Sequence, residues 1–504
     1  MIDAITTAQM KDFENYSDSH GVNYYELMKN AGNAAGKYIK KIMSEKGYKK
    51  IVFLVGNGNN GGDCFISAAY LASHGFEAFV FCVNGLPKTE IATKASKKAE
   101  KSGVVYLNAL PKHCNVLCDG IFGTGFHGSL PEKIVSIFNE TEADLKIAFD
   151  IPSGGNGTDG NADKNTFNAD ITLTFGFAKT GLYQYPLRSY CGKISVIPIG
   201  FPAETIQTAK RTFTITNSSI VKKILPKRDQ NSNKGTFGKL LCITGSEYMP
   251  GACAMSAISA MKSGCGLVTI ATAKETIPFL ASRLYPPVWI PLETDNNGII
   301  KFSEKNFKKI SEAVSKSDAV LFGCGLGISY DTKILASWLI KNVKSKLIID
   351  ADGLNSIAGN TDILNQAKGD VIITPHPGEF SRLIDKSIPD VQSNRISLAT
   401  DFVNQYPKCT LVLKGAGTIV INKNKSFINT NGNSGMAKGG SGDVLAGIIA
   451  SLAAQGIDGI FAAAAGTWIH GESGDIAAEK HSVHAMSAED IISSLEDTFK
   501  MLEK

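Results

Sequence analysis

The chain has 504 residues, 43% of them apolar and 20% charged, with a formal net charge of +5. That length exceeds what one hydrophobic core usually organises, so two domains are expected. So small an excess of cations argues against a nucleic-acid partner, because the lysines fall along helix-like stretches (Lys40 and Lys41, Lys97 and Lys98, Lys308 and Lys309) as solvated faces do. Ten cysteines lack a framework spacing, and Cys82, Cys242, Cys265 and Cys409 sit in apolar runs that read as buried strands. They are expected to be reduced core residues of a cytoplasmic protein. The one close pair, Cys114 and Cys118, lacks a second ligand pair, and zinc is not expected there. The first residues carry acids where a signal peptide has an apolar core, and no run approaches the roughly 18 to 20 apolar residues needed to cross a bilayer.

In chain order, short apolar runs alternate with helical patterns. "IVFLV", "AFVFCV", "NVLCD", "LKIAFD" and "ITLTF" are expected strands of the first half; "KLLCITG", "DAVLFG", "KLIIDAD", "VIITPHP" and "TLVLKG" are those of the second. Continuous runs of this length fit strands buried on both faces, with helices between them, so the fold class is α/β throughout. The polar stretch 216–238 separates two domains, 1–216 and 217–504. The apolar segment "AGIIASLAAQGIDGIFAAAAG" is interrupted at Gln455, Gly456 and Asp458 and reads as two buried helices.

The first strand ends in "GNGNNGGD", which satisfies the glycine spacing of a dinucleotide-binding turn. The second strand, however, ends "FCVNG", without the acid that bonds a ribose in that fingerprint. Asn57, Asn59, Asn60 and Asp63 instead offer oxygen-rich groups that bind a cation or hold a polar ligand. "CDGIFGTGFHGSLP" places Asp119 at a strand end before a glycine loop, and "FDIPSGG" places Asp150 at another. Ligands of open parallel sheets bind beyond the carboxyl ends of strands, so the three loops are expected to converge.

In this order the three motifs resemble the NAD(P)HX epimerase domain, over residues 1 to about 215. The resemblance implies a Rossmann-like αβα sandwich. It also implies contacts to the hydrated nucleotide from Asn59, Asn60, Gly61, Gly62, Asp63, the loop Gly123, Thr124, Gly125, Phe126, His127, Gly128 and Ser129, and Asp150. K+ is implied at Asn60, Asp119 and Ser153, and Asp150 is the candidate for moving protons. Cys64 stands where the family usually has glycine.

The second half carries "GGSGDVLAG", where Gly439, Gly440 and Gly442 surround Ser441 before Asp443 and an apolar helix. Small residues at a helix start present backbone N–H groups to an anion, and the adjacent acid can take a proton from a hydroxyl, as phosphoryl transfer requires. "KGAGT" supplies a second glycine turn. The arrangement resembles the ribokinase-like superfamily, and with "FGCGLG", "DADGLN" and "TPHPGEFSRL" it resembles the ADP-dependent NAD(P)HX dehydratase domain, over roughly 225 to 500. The resemblance implies a ribokinase-like α/β domain with Asp443 as catalytic base. Substrate contacts are implied at Ala252, Gly325, His376 and Asp443, and adenine-nucleotide contacts at Lys414, Gly415, Ala416, Gly417, Thr418 and Gly442. Cys324 replaces the proline usual in that family. His376 and Glu379 have the spacing of the element that organises Mg2+ in related kinases.

The resemblance as a whole implies repair of hydrated NADH and NADPH by a homo-oligomer. The first domain would interconvert the R and S forms, and the second would dehydrate the S form with ADP, giving AMP and phosphate. A small-molecule kinase for a vitamin precursor or sugar, fused to a nucleotide-binding scaffold, is the alternative.

Overall fold

Burial on both faces explains the first half. In the computed structural model, which describes residues 3–208 and 211–504, a seven-stranded parallel sheet runs in the order Val105–Tyr106, Glu77–Cys82, Lys50–Val55, His113–Gly120, Glu142–Phe149, Ile171–Phe175, Lys193–Ile197. Ile51, Phe53 and Val55 point into one core with the helices Tyr24–Lys46, Asn59–Ala72 and Glu90–Lys101. Val52 and Leu54 point into the other, against Glu132–Glu140. The continuous apolar run is therefore a strand between two helical layers. The chain winds outward from Lys50–Val55 on one side and then crosses to His113–Gly120 on the other, so the switch point lies between these two strands, where such folds bind ligands.

The chain divides into two units, Met1–Thr214 and Ile215–Lys504. In the second, parallel strands run in the order Val288–Leu292, Leu267–Ala273, Lys239–Ile243, Ala319–Phe322, Lys346–Ile349, Val371–Ile373, Cys409–Leu413. Thr418–Ile421 and Ser426–Asn429 continue them antiparallel. The switch point falls between Lys239–Ile243 and Ala319–Phe322. The helices Pro250–Lys262, Ser441–Ala454, Gly459–Ala485 and Ala488–Glu503 share one core with the sheet, and the apolar tail segment is indeed two helices.

All ten cysteines are free. Two differ from expectation: Cys82 ends its strand half-buried, and Cys265 lies in the turn before Leu267 rather than in a strand, also half-buried. Among the described residues no helix is long and apolar enough to cross a membrane.

Candidate functional site

Each unit gathers its motif residues at the carboxyl ends of its strands. In the first, the asparagine loop enters the helix Asn59–Ala72 directly, so Asn59 to Asp63 form its first turns, and backbone N–H groups there face the switch point. Asn59 Oδ1 accepts from Thr89 Oγ1 at 2.8 Å. The Asn60 amide donates to the carbonyls of Phe122 (2.8 Å) and Phe149 (3.1 Å), which ties the three expected loops together. Its Oδ1 is buried and has no hydrogen-bond partner. Beside it, Asp119 is fully buried and accepts from Ser153 N and Ser153 Oγ, both at 2.7 Å, while Ser153 Oγ accepts from Phe122 N at 2.9 Å. Burial pushes the Asp119 carboxyl up to about 6, against the pull of the Ser153 and Ile121 hydrogen bonds.

The glycine loop is less enclosed. Thr124 and Phe126 are half-buried, with Phe126 against Phe122 at 5.0 Å between ring centroids, whereas Gly125, His127, Gly128 and Ser129 face solvent. His127 Nδ1 lies 3.2 Å from Asn156 Nδ2. The loop therefore forms an exposed rim rather than part of the buried floor.

A group with no assigned role in the sequence reading occupies the centre of this site. Lys179 is fully buried, and its ammonium donates to Asp150 Oδ1 at 2.5 Å and to the Phe175 carbonyl at 2.9 Å. Asp150 also accepts from Phe175 N (3.2 Å) and Thr174 Oγ1 (3.3 Å) and has φ of 65°, a left-handed conformation rare outside glycine. Burial, then the charges of Asp150 and Glu14, push the Asp63 carboxyl well above the usual range, with Lys179 opposing. Glu14 is raised by burial against the same lysine. Three carboxyls thus feel the charge of one ammonium, and only Asp150 touches it. The visible trace in the sequence is a lone lysine between apolar runs, "FGFAKTGL".

In the second unit Gly440, at φ 89°, turns the chain into the helix Ser441–Ala454, and Asp443 lies in its first turn. Burial, followed by the charge of Asp350, pushes the Asp443 carboxyl up to about 7; a hydrogen bond from Cys324 and the charge of Lys414 oppose this. Asp350, from "DADGLN", is the residue that sequence reasoning left without a role. Its Oδ1 accepts from Lys414 Nζ at 2.9 Å and Thr374 Oγ1 at 2.7 Å. Lys414 also lies 3.7 Å from Glu379 Oε2, and Gly442 sits so close that a Cβ there would come within 3.4 Å of its ammonium. The turn Gly415, Ala416, Gly417 is largely exposed above this lysine, with Thr418 Oγ1 donating to Gly415 O at 2.7 Å and the buried Arg395 holding the Leu413 carbonyl at 3.0 Å. Lys438 donates to the carbonyls of His484 and Met486, anchoring the segment that leads into the glycine loop.

Ala252 and Gly325 meet: Gly325 has φ of 63°, and a Cβ on it would lie 2.7 Å from that of Ala252. His376 caps the helix Pro377–Ile384, its Nδ1 accepting from Gly378 N at 3.0 Å while Glu379 Oε2 accepts from His376 N at 2.8 Å. That leaves Nε2 on a half-exposed ring, 3.6 Å from Glu379 Oε1.

A family model described as NAD(P)H-hydrate dehydratase matches residues 240–497, and one described as YjeF-related protein N-terminus matches residues 24–181. A bifunctional NAD(P)H-hydrate repair enzyme of Moorella thermoacetica is 31% identical, covering 99% of this chain and 97% of that one. The chain belongs to the family of bifunctional NAD(P)H-hydrate repair enzymes. Relatives so described from Thermofilum pendens (32% identical over 97% of this chain and 94% of that one) and Escherichia coli (30%, 95% and 90%) match both halves in the same order. Among solved structures, an ADP/ATP-dependent NAD(P)H-hydrate dehydratase from Bacillus subtilis, co-crystallised with ATP and Mg2+, covers 57% of this chain and 99% of its own, with a TM-score of 0.50 and 28% identity. In this repair-enzyme family, then, the fold of the second unit is that of the dehydratase; Gly325 follows its switch-point strand Ala319–Phe322, and Lys414 and Asp443 gather around Asp350, which follows the neighbouring strand Lys346–Ile349.

Proposed function

We propose that the two units act in sequence on hydrated NADH and NADPH, the first interconverting the two epimers at C6 and the second dehydrating the S form with ADP. The observation that carries this reading is the similarity of both halves, in order, to bifunctional repair enzymes, joined to an acid in each unit beside the carboxyl ends of its strands, Asp150 after Glu142–Phe149 and Asp443 against Asp350.

In the dehydratase, Asp443 takes the proton of the C6 hydroxyl, and the hydroxyl oxygen attacks the terminal phosphate of ADP, releasing AMP. The C6–O bond then breaks with phosphate leaving, the ring nitrogen supplies its lone pair, and loss of a C5 proton restores the double bond. A carboxylate that titrates near neutrality suits this work, because it is ionised at working pH yet basic enough to accept the proton. Lys414 and the N–H groups at the start of Ser441–Ala454 face the developing phosphate charge. Asp350 and Glu379 together with Asp443 outnumber the single ammonium of Lys414, a charge surplus that fits a hard cation. Glu379 would hold Mg2+, which when bound neutralises the phosphate oxygens.

In the epimerase, Asp150 removes the same hydroxyl proton. The oxygen's electron pair then forms the aldehyde as the C6–N1 bond breaks and the proton passes to the nitrogen; attack of that nitrogen on the opposite face of the aldehyde, with the proton returned to oxygen, gives the other epimer. Lys179 pairs with Asp150 and orients it. The orphaned Oδ1 of Asn60, with Asp119 and Ser153 beside it, fits a cation site. These residues would hold K+, which when bound supplies positive charge next to the ligand's phosphates.

The test follows the near-ultraviolet absorbance of reduced nicotinamide as a mixture of both NADHX epimers is incubated with Mg2+ and either ADP or ATP. Full recovery with ADP, abolished in Asp443→Asn, supports both steps. Recovery that stalls with one epimer left removes the epimerase, and no recovery with either nucleotide moves the assignment to a small-molecule kinase.

A further inference from the structure

Cys324 has surroundings that are unusual for a core thiol. The side chain is fully buried at the end of Ala319–Phe322, and its Sγ lies 3.9 Å from Asp350 Oδ2. Ligand atoms of Cys324, Asp350 and Asp443 all lie within 4.8 Å of one another. Lys414 and Thr374 occupy Asp350 Oδ1, which leaves Oδ2 turned to the thiol.

We propose that Cys324, Asp350 and Asp443 form a binding site for a thiophilic divalent cation of the zinc class, whose occupancy blocks the dehydratase. Zn2+ binds thiolate at about 2.3 Å and carboxylate oxygen at about 2.0–2.2 Å, which in a tetrahedron sets sulfur and oxygen roughly 3.5 Å apart. The 3.9 Å separation therefore needs only a small closure. Charge agrees: binding releases the thiol proton, and the three anionic donors together with Glu379 outnumber the one ammonium of Lys414, a negative surplus that a dication reduces. Gly442, without a side chain 3.8 Å from Asp350 Oδ2 at its Cβ position, leaves a fourth place open to water or phosphate. Mg2+ does not compete well for this set, since it demands oxygen ligands in octahedral geometry. The inhibition, though not the binding, rests on the assignment of Asp443 as base: a coordinated carboxylate cannot take the substrate's proton.

The probe for binding is Co2+ added to the chelator-treated full chain, read as the sulfur-to-cobalt charge-transfer absorption. The wild type is expected to show it, Cys324→Ala to lose it, and Asp443→Asn to bind more weakly. No band, or a band retained in Cys324→Ala and so arising from another thiol, overturns the site. Inhibition is read by titrating Zn2+ into the dehydratase assay at saturating Mg2+ and ADP, each protein normalised to its own uninhibited rate. Loss even of an outer-shell partner weakens metal sites about 10–100-fold, so Cys324→Ala should need at least about tenfold more zinc than wild type. Equal zinc sensitivity in the two proteins overturns the blocking role. A cobalt band that depends on Cys324 without any zinc inhibition keeps the site and overturns Asp443 as the base.

Discussion

The two units solve one problem in two ways. Each sets an acid and a lysine where glycine loops leave a parallel sheet, but in the first the lysine grips the acid itself, Lys179 on Asp150 at 2.5 Å. In the second, Lys414 grips a different acid, Asp350 at 2.9 Å, and leaves Asp443 to be pushed up to about 7 by burial and by that same neighbour. In the proposed reading, the pairing sets the chemistry. In the proposed mechanism, a carboxylate gripped by an ammonium is held in one orientation throughout a reversible epimerisation. One held apart from its cation becomes a base near neutrality, suited to activating a hydroxyl for phosphoryl transfer.

The largest effect expected from breaking this contrast is on Asp443. Asp443→Asn should lower the dehydratase rate by about 10²–10⁴, the usual worth of a positioned general base, while the rate of epimer interconversion stays unchanged. Stopped assays that quantify each epimer separately will check both halves of that statement. An equal loss in both activities would mean that the substitution acts on folding.

Lys179→Met comes next, and it acts on stability as well as rate. Removing one partner of a buried pair leaves the other charge uncompensated, at a cost of about 3–5 kcal/mol. Thermal unfolding should show the first unit destabilised and epimerase activity lost. Adding Asp150→Asn should restore stability, because the orphaned charge is gone, without restoring epimerisation. Recovery of activity in the double variant would remove the pair from the mechanism.

Most of the parallel strands and the loop acids of both units were legible in the chain, the lysine pairings were not, and the difference has physical reasons. Runs such as "IVFLV" and "KLLCI" are legible because a strand buried on both faces must be apolar throughout. Lys193–Ile197 and Val288–Leu292 are not, since both lie at sheet edges with half-exposed residues, and Pro291 interrupts the second. Asn60, Asp119, Asp150 and Asp443 announce themselves by standing next to glycine-rich turns at strand ends or helix starts. Lys179 does not, because what marks it is a partner 29 residues away and complete burial, neither of which leaves a local pattern. Asp350 was in view within "DADGLN", yet its part depends on Lys414, 64 residues on.

A milder substitution separates loop geometry from charge. Gly325→Ala places a methyl group at φ 63° and within 2.7 Å of the Ala252 Cβ. The left-handed conformation alone costs a non-glycine residue about 1–2 kcal/mol, a factor of about 5–30. Dehydratase kcat/KM should fall by that order, with the acid limb of its pH profile unmoved, because no charge near Asp443 changes.

That acid limb is the smallest and sharpest effect. If Asp443 is the base proposed above, it acts only when ionised, so dehydratase activity should be full above its raised value of about 7 and fall as pH drops through it, about tenfold from pH 8 to pH 6. The midpoint should also move in opposite directions in two variants. Asp350→Asn removes the negative neighbour that raises Asp443 and frees the Lys414 ammonium, which lowers it; both changes favour the ionised form, so the limb moves to lower pH. Cys324→Ala removes a hydrogen bond to the ionised carboxylate, so the limb moves to higher pH. Opposite displacements from two side chains that both touch the same pocket identify the titrating group as Asp443, since a general loss of stability would move both limbs the same way.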